Sequence, residues 1–138
     1  MIEPQGDDPR GRLIEQRVRN RIIEYFELAG SFAAQRDYER AAPIAHVPYE
    51  VINQWEDQLP RGLDSVDDWP DVYTADEIEA IKKFHGVWQE TARVVPDDYP
   101  SLRDVQAMPA WERLRCEAET AMGVFTRRGK LPEDRESP

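Results

Sequence analysis

Few side chains in this sequence could carry out nucleophilic or metal-dependent chemistry. With one cysteine and two histidines among 138 residues, the chain has no set of zinc ligands at the usual spacing. Cys116 has Arg113 and Arg115 nearby, which could lower the pKa of its thiol, but no histidine stands in local register to activate it. Motifs for phosphate loops, serine hydrolases, zinc peptidases and dinucleotide binding do not occur. We expect no cofactor and no bound metal, and the prediction leans away from an enzyme.

The two histidines differ in their sequence surroundings. His85 lies between Ile81 and Trp88 on the apolar side of a predicted helix, which is typical of a neutral core histidine that donates one hydrogen bond. His46 lies in the proline-bracketed stretch PIAHVP, where a histidine could cap a helix, be exposed or take part in binding. Neither histidine has a glutamate three residues before it, so a di-iron helical bundle has no support.

Paired carboxylates give the remaining enzymatic alternative. Glu24 and Glu27 are three residues apart, as are Asp76 and Glu79. Two such pairs on facing helices could hold Mg²⁺ for a nucleotide pyrophosphohydrolase. However, such spacings arise easily by chance in a chain with 28 acidic residues. Helix periodicity also places Glu24 and Asp76 away from the predicted buried faces, which favours solvated surfaces.

The stretch AHVPYEVINQWEDQ, residues 45–58, has a spacing similar to the second half of a DNA-binding helix-turn-helix. The small and apolar positions of that motif are filled by Ala42, Val47, Ile52 and Trp55. Pro43, however, falls inside the presumed first helix, where proline removes a backbone donor. The presumed reading helix carries Glu50, Glu56 and Asp57 and no cation, so it would repel phosphates. We therefore expect a structural corner with Trp55 in the core, and not a nucleic-acid interface.

Aromatic residues are concentrated in and beside an acidic segment. Residues 50–79 contain ten acidic residues and a single cation, Arg61. Aromatic rings bordered by carboxylates suit an arginine-bearing protein or a cationic ligand, although most of these rings could equally be core residues. The predicted binding residues are His46, Tyr49, Trp55, Glu56, Trp69 and Tyr73.

The charge balance limits the classes of partner. The net charge is −10, which disfavours phosphate backbones and anionic membranes and leaves a basic protein as the expected partner. Self-association is the alternative, because residues 10–21 hold five arginines and one glutamate; this stretch could also be a solvated helix face. No segment approaches the apolar length of a membrane span. The lone cysteine favours a cytoplasmic setting, and fifteen arginines against three lysines suggest a bacterial genome rich in GC.

Apolar spacing predicts an all-α, single-domain irregular bundle of five or six amphipathic helices. The predicted helices cover residues 10–29, 31–42, 48–58, 75–93 and 101–107, with a last helix that begins at Pro109. The first helix is expected to bury Ile14, Val18, Ile22, Tyr25, Phe26 and Ala29, and the fourth Ile78, Ile81, His85, Trp88 and Ala92. Residues 61–73 lack periodicity and are expected to form an acidic loop that Trp69 and Tyr73 attach to the body.

The chain divides into three predicted parts. Residues 1–9 are a flexible lead, residues 10–130 form the helical domain, and residues 131–138 form a charged, disordered tail. The function expected from these features is that of a small acidic protein-interaction or regulatory module that binds a basic partner or itself. The alternatives are a helix-turn-helix DNA-binding protein and a magnesium-dependent nucleotide pyrophosphohydrolase.

Overall fold

The structure is a computed structural model that describes residues 9–59 and 62–137. In this part of the chain it contains six α-helices, one 3₁₀ helix and no strand, so the all-α prediction is confirmed. The α-helices are α1 (Pro9–Ala29), α2 (Phe32–Ala41), α3 (Val47–Gln58), α4 (Ala75–Val94), α5 (Leu102–Gln106) and α6 (Pro109–Phe125). None of these helices is both long and apolar enough to cross a membrane. The predicted flexible lead, residues 1–9, lies outside the described residues except for Pro9.

The helix ends follow short-range signals in the sequence. The Ser31 hydroxyl accepts a hydrogen bond from the Ala34 N–H at 3.1 Å and so caps α2. Thr74 and Glu77 form a reciprocal capping box at the start of α4, with both bonds at 3.1 Å. The first residues of α3 are capped by the ring of His46. Such caps satisfy backbone N–H groups that have no partner within the helix, and they explain why the predicted boundaries agree closely with the observed ones.

The predicted acidic loop contains a helix that apolar periodicity does not indicate. A 3₁₀ helix, Leu63–Asp68, follows Gly62, whose φ of 94° is accessible to glycine at little cost. Val66 is fully buried in this segment, and Trp69 and Tyr73 are 2 % and 1 % exposed. The two aromatic rings therefore hold the segment against the helical body, as the sequence predicted.

The core is built around Phe26 of α1. Its ring lies 5.6 Å from that of Trp55, 5.1 Å from that of Phe84 and 5.8 Å from that of Phe125, measured between centroids. These rings belong to α3, α4 and α6, so four helices meet at one aromatic cluster. Phe26 is stacked on Trp55 and meets Phe84 and Phe125 edge to face, and both arrangements add stability beyond the burial of apolar area.

The first half of α1 is oriented differently from the prediction. Ile14 is 48 % exposed, although the apolar spacing placed it in the core. The buried side chains of this half are polar: Glu15, Gln16, Arg19 and Asn20. The second half of α1 buries Ile22, Tyr25, Phe26 and Ala29 as expected. The helix therefore has a polar buried half and an apolar buried half, and the polar half must find hydrogen-bond partners inside the protein.

The buried face of α4 is also rotated from the predicted one. Phe84 and Thr91 are fully buried in place of His85 and Ala92, which are only partly covered. Glu77 takes a buried position beside Ile78 because its carboxylate has arginine partners. Apolar periodicity alone could not select this face, since two of its members are polar.

The segment after α6 lies against α1. Leu131 is buried, and the side chains of Gln16 and Asn20 are hydrogen-bonded to residues 131–137. The charged composition of this stretch predicts a disordered tail over residues 131–138. The structure shows an extended segment without helix whose partners come from the far end of the chain.

Candidate interaction surface

The structure divides the six predicted binding residues into two groups. Trp55, Trp69 and Tyr73 are at most 2 % exposed and therefore hold the fold together, without offering a ring to solvent in this conformation. His46, Tyr49 and Glu56 are exposed, and all three are on α3 or immediately before it. The accessible part of the predicted site is thus the corner between α2 and α3.

At this corner an exposed aromatic and apolar surface is formed by two separate parts of the chain. We call it the corner surface; it consists of Ile44, His46, Tyr49, Asn53 and Tyr99. Ile44 is 100 % exposed and Tyr49 is 48 % exposed. The Tyr99 ring, from the loop between α4 and α5, makes edge contacts with Tyr49 at 5.2 Å and with His46 at 6.1 Å between centroids. Tyr99 is absent from the predicted site because it is remote in sequence from α3.

Hydrogen bonds fix the arrangement of the corner surface. Asn53 Nδ2 donates to the Tyr49 carbonyl at 2.8 Å and to the Tyr99 hydroxyl at 3.0 Å. The Tyr49 N–H donates to Nδ1 of His46 at 3.4 Å, which fixes the imidazole at the start of α3. Tyr99 has a φ of 48°, in the left-handed region that bulky residues rarely adopt. Strained residues of this kind are concentrated at binding and catalytic sites.

The two stretches that supply the corner surface carry only negative charges, and Arg93 and Arg103 flank the second of them in sequence. Residues 42–59 and 94–102, which supply the surface and its flanks, contain five carboxylates and no lysine or arginine. The carboxylates are Glu50, Glu56, Asp57, Asp97 and Asp98. Asp97 and Asp98, beside Tyr99 in sequence, are exposed, as are Glu56 and Asp57. A cationic side chain would therefore meet both ring faces and carboxylates here.

Part of the basic stretch that the helix-turn-helix alternative needs is engaged within the fold. The residues Val51, Ile52 and Trp55 of α3 are buried, and its accessible face carries carboxylates, amides and Tyr49. The basic stretch of α1 was the possible source of phosphate contacts. Arg19 in that stretch is fully buried against Glu77, and Arg17 donates to the Glu133 carbonyl at 2.8 Å.

Two of the four carboxylates of the magnesium alternative are paired with cations. Glu24 pairs with Lys130 at 2.9 Å, and Asp76 pairs with Arg127 at 3.0 Å. Within residues 9–59 and 62–137, no group of three or more His, Cys, Asp or Glu side chains is placed to hold a metal ion. The arrangement therefore gives the pyrophosphohydrolase alternative no support.

Cys116 is exposed but is not activated. A hydrogen bond to Glu112 raises the pKa of its thiol above the usual range, burial adds to this effect, and the nearby Arg115 opposes it only in part. Arg115 does lower this pKa, as the sequence suggested, but the contribution is outweighed, and Arg115 is itself paired with Glu112 and Glu119 at 2.7 Å each. A raised pKa reduces the thiolate fraction that a nucleophile needs.

His85 connects two helices but has a different role from the predicted one. Its Nδ1 accepts a hydrogen bond from Trp55 Nε1 at 3.1 Å, and its ring lies against that of Trp88 at 5.4 Å between centroids. The imidazole therefore accepts from a buried indole through Nδ1, a bond that the predicted donor role does not include.

A buried ionic cluster joins α1, α4 and the end of α6. Arg19 and Glu77 are fully or almost fully buried and make a bidentate pair at 3.2 and 2.8 Å, and Arg128 donates to the same carboxylate at 2.6 and 3.1 Å. Arg19 also donates to the Gly129 carbonyl at 2.6 Å. Nearby, the Tyr73 hydroxyl donates to Glu15 at 2.9 Å. These groups satisfy one another, so the cluster stabilises the fold and offers no open position to a substrate.

Two depressions lie on the described surface. One between α4 and α6 has a volume of about 240 Å³, below the usual range of ligand pockets. Four of its charged lining residues pair with one another, Asp76 with Arg127 and Lys83 with Glu117. A second, of about 340 Å³, lies beside α2 and α5. Among the described residues neither is lined by a histidine or a cysteine.

No protein-family model, curated protein or solved structure gives a significant match to the chain.

Proposed function

We propose that this chain is a protein-interaction module that binds a basic segment of another protein through the corner surface. The observation that carries the proposal is the complete exposure of Ile44, two residues before His46, whose ring belongs to an aromatic cluster held in a fixed arrangement. An apolar side chain with no contact in its own fold contributes nothing to folding by burial, yet it would gain stability by being covered by a partner. Aromatic residues are also enriched at the centres of protein interfaces.

The tyrosine rings of the corner surface and the carboxylates near them in sequence together favour a partner that carries arginine or lysine. An arginine guanidinium can stack on a tyrosine face and at the same time pair with a carboxylate in a bidentate manner. The corner surface offers Tyr49 and Tyr99 as ring faces, and Asp97 and Asp98 are next to Tyr99 in sequence. A partner segment with arginine or lysine beside an apolar residue would thus fit both Ile44 and the acidic flanks.

Self-association through the basic stretch of α1 is a weaker version of the proposal. Arg12 and Arg17 donate to carbonyls of Ser137 and Glu133, and Arg19 is buried. Only part of that stretch could therefore pair with the acidic corner of a second copy. The proposed setting is the bacterial cytoplasm, on the basis of the single cysteine and the arginine-rich composition.

Selection from a random peptide-display library tests the proposal, because such a library offers basic, neutral and acidic segments in competition. Peptides retained by the immobilised full chain should be enriched in arginine and lysine, and high salt should release them. Retention should fall at least about tenfold on a chain with Ile44→Asp and Tyr49→Ala, since these changes remove the centre of the surface. The matched control is Ile14→Asp. Ile14 is an apolar residue of α1, and its side chain is as exposed as that of Tyr49.

The proposal fails if the retained peptides are neutral or acidic. It also fails if the double variant, folded by circular dichroism, retains basic peptides as well as the wild type does.

A further inference from the structure

A second interaction surface lies on α1, where the chain binds its own residues 131–137. Eight hydrogen bonds connect side chains of α1 to this segment in the described part of the chain, and seven of them involve main-chain atoms of the segment. The four α1 residues that take part are Arg12, Gln16, Arg17 and Asn20. Their spacing puts Arg12, Gln16 and Asn20 on one face of the helix, one turn apart.

Two side-chain amides form hydrogen bonds with the main chain of the segment. Asn20 donates to the Leu131 carbonyl at 2.8 Å and accepts from the Leu131 N–H at 2.9 Å. Gln16 donates to the carbonyls of Pro132 and Arg135 at 2.8 and 2.9 Å and accepts from the Ser137 N–H at 2.9 Å. An amide that uses both its donor and its acceptor on one peptide chain recognises the extended backbone irrespective of the side chains it carries.

The side chains of the segment add a simple pattern to this backbone recognition. Leu131 is 8 % exposed and acts as an apolar anchor. Glu133 accepts a second hydrogen bond from Asn20 at 2.9 Å, and Glu136 lies 3.9 Å from Arg12. The surface therefore accommodates an extended chain with an apolar residue followed by carboxylates.

We propose that this face of α1 is a peptide-binding groove for an extended acidic segment of another protein, and that residues 131–137 occupy it as a displaceable ligand. Gln16 and Asn20 are 0 % and 1 % exposed, and every hydrogen bond that their side chains make in the described structure goes to this segment. When the segment leaves, water can replace those bonds, so release strands no buried polar group. The basic rim of Arg12 and Arg17 matches acidic ligands, whereas the corner surface is acidic. The two proposals are therefore independent.

The test uses the full chain with its segment released. Leu131→Asp removes the apolar anchor but leaves the groove intact. A fluorescein-labelled peptide of residues 131–137 is the probe, and fluorescence anisotropy measures its binding. The peptide should bind Leu131→Asp at least about tenfold more tightly than the wild type, in which the tethered segment competes at high effective concentration. Adding Asn20→Leu should weaken that binding at least about tenfold, since it removes both main-chain bonds.

The matched control is Gln89→Leu in the same Leu131→Asp chain. Gln89 is an exposed amide residue of α4, outside both proposed surfaces, so its loss should leave peptide binding unchanged. If Leu131→Asp fails to fold, Glu133→Lys with Glu136→Lys releases the segment by charge and takes its place. Hydrogen exchange of the wild type supplies a second readout, in which the N–H groups of Leu131 and Ser137 should be protected.

Three results would contradict the proposal of a peptide-binding groove. These are no binding of the peptide to a folded, released chain, equal binding with and without Asn20→Leu, and unprotected amides at Leu131 and Ser137. If the groove proposal fails while the corner surface still binds basic peptides, the proposed function is unaffected.

Discussion

Trp55 Nε1 donates a hydrogen bond to Nδ1 of His85 at 3.1 Å, which connects α3 to α4. Trp55 is fully buried, and its indole N–H requires an acceptor within the protein. The orientation of α3, and with it that of Tyr49, thus depends on a histidine of another helix. His85 thus helps to hold in place the helix that carries Tyr49.

Removing this acceptor should destabilise the fold. His85→Leu leaves the Trp55 N–H buried without a partner, and we expect the free energy of unfolding to fall by about 1–3 kcal/mol. His85→Gln retains an acceptor oxygen and should lose less. Chemical denaturation of the two variants measures the difference. Equal stability of His85→Leu and the wild type would show that the bond contributes nothing.

The buried ion pair of Arg19 and Glu77 should be among the most sensitive points of the molecule. Glu77→Gln removes the charge that balances a fully buried guanidinium, so we expect a loss of about 3 kcal/mol or more in the free energy of unfolding. The control is Glu79→Gln on the exposed face of α4, which should change stability by less than about 0.5 kcal/mol. Similar losses in both variants would contradict a structural role specific to Glu77.

The same carboxylate predicts a dependence of stability on pH. Burial alone would raise the pKa of Glu77, but hydrogen bonds from Arg19, Arg128 and the Thr74 N–H outweigh it and hold the pKa below the usual 4.5. Because the folded pKa is the lower one, Glu77 stabilises the fold above the unfolded pKa, and this contribution is lost as the pH falls through the folded pKa. Denaturation curves from pH 4.5 downward should show a steep loss in the wild type and a shallower one in Glu77→Gln. Parallel curves would refute the assignment.

Two glycines should respond to alanine in opposite directions. A Cβ at Gly30 would lie 2.7 Å from the Phe26 carbonyl oxygen and 3.1 Å from the Glu119 nitrogen, so Gly30→Ala should force α1 and α6 apart and cost about 1–3 kcal/mol. A Cβ at Gly86, inside α4, meets nothing within 4 Å. Gly86→Ala should therefore stabilise the protein by about 0.5–1 kcal/mol. Thermal unfolding of both variants tests the pair, and a stable Gly30→Ala would contradict the close approach.

Features governed by near neighbours could be predicted from the sequence. The capping box of Thr74 and Glu77 involves residues three positions apart, and the burial of Trp55 follows from the spacing on one helix. The polar burial on α1 could not be predicted in this way. Arg19 and Glu77 are 58 positions apart, and Asn20 and Leu131 are 111 apart. A buried arginine becomes favourable only when its distant carboxylate is in place.

The candidate site was predicted only in part for the same reason. His46 and Tyr49 lie at a helix start that the prolines of PIAHVP indicate, and both are exposed as binding requires. Tyr99 completes the cluster from 50 or more positions away and shows no local pattern of its own. Trp69 and Tyr73 were predicted as binding residues on the basis of composition, which cannot distinguish a buried ring from an exposed one.

Amide NMR of the isotopically labelled full chain, titrated with an arginine-rich peptide, tests the interaction proposal most directly. We expect saturable shifts at Ile44, His46, Tyr49, Asn53 and Tyr99, weaker at high salt and lost with Ile44→Asp and Tyr49→Ala but not with Ile14→Asp. An absence of shifts at the corner surface, or shifts confined to other parts of the molecule, would contradict it.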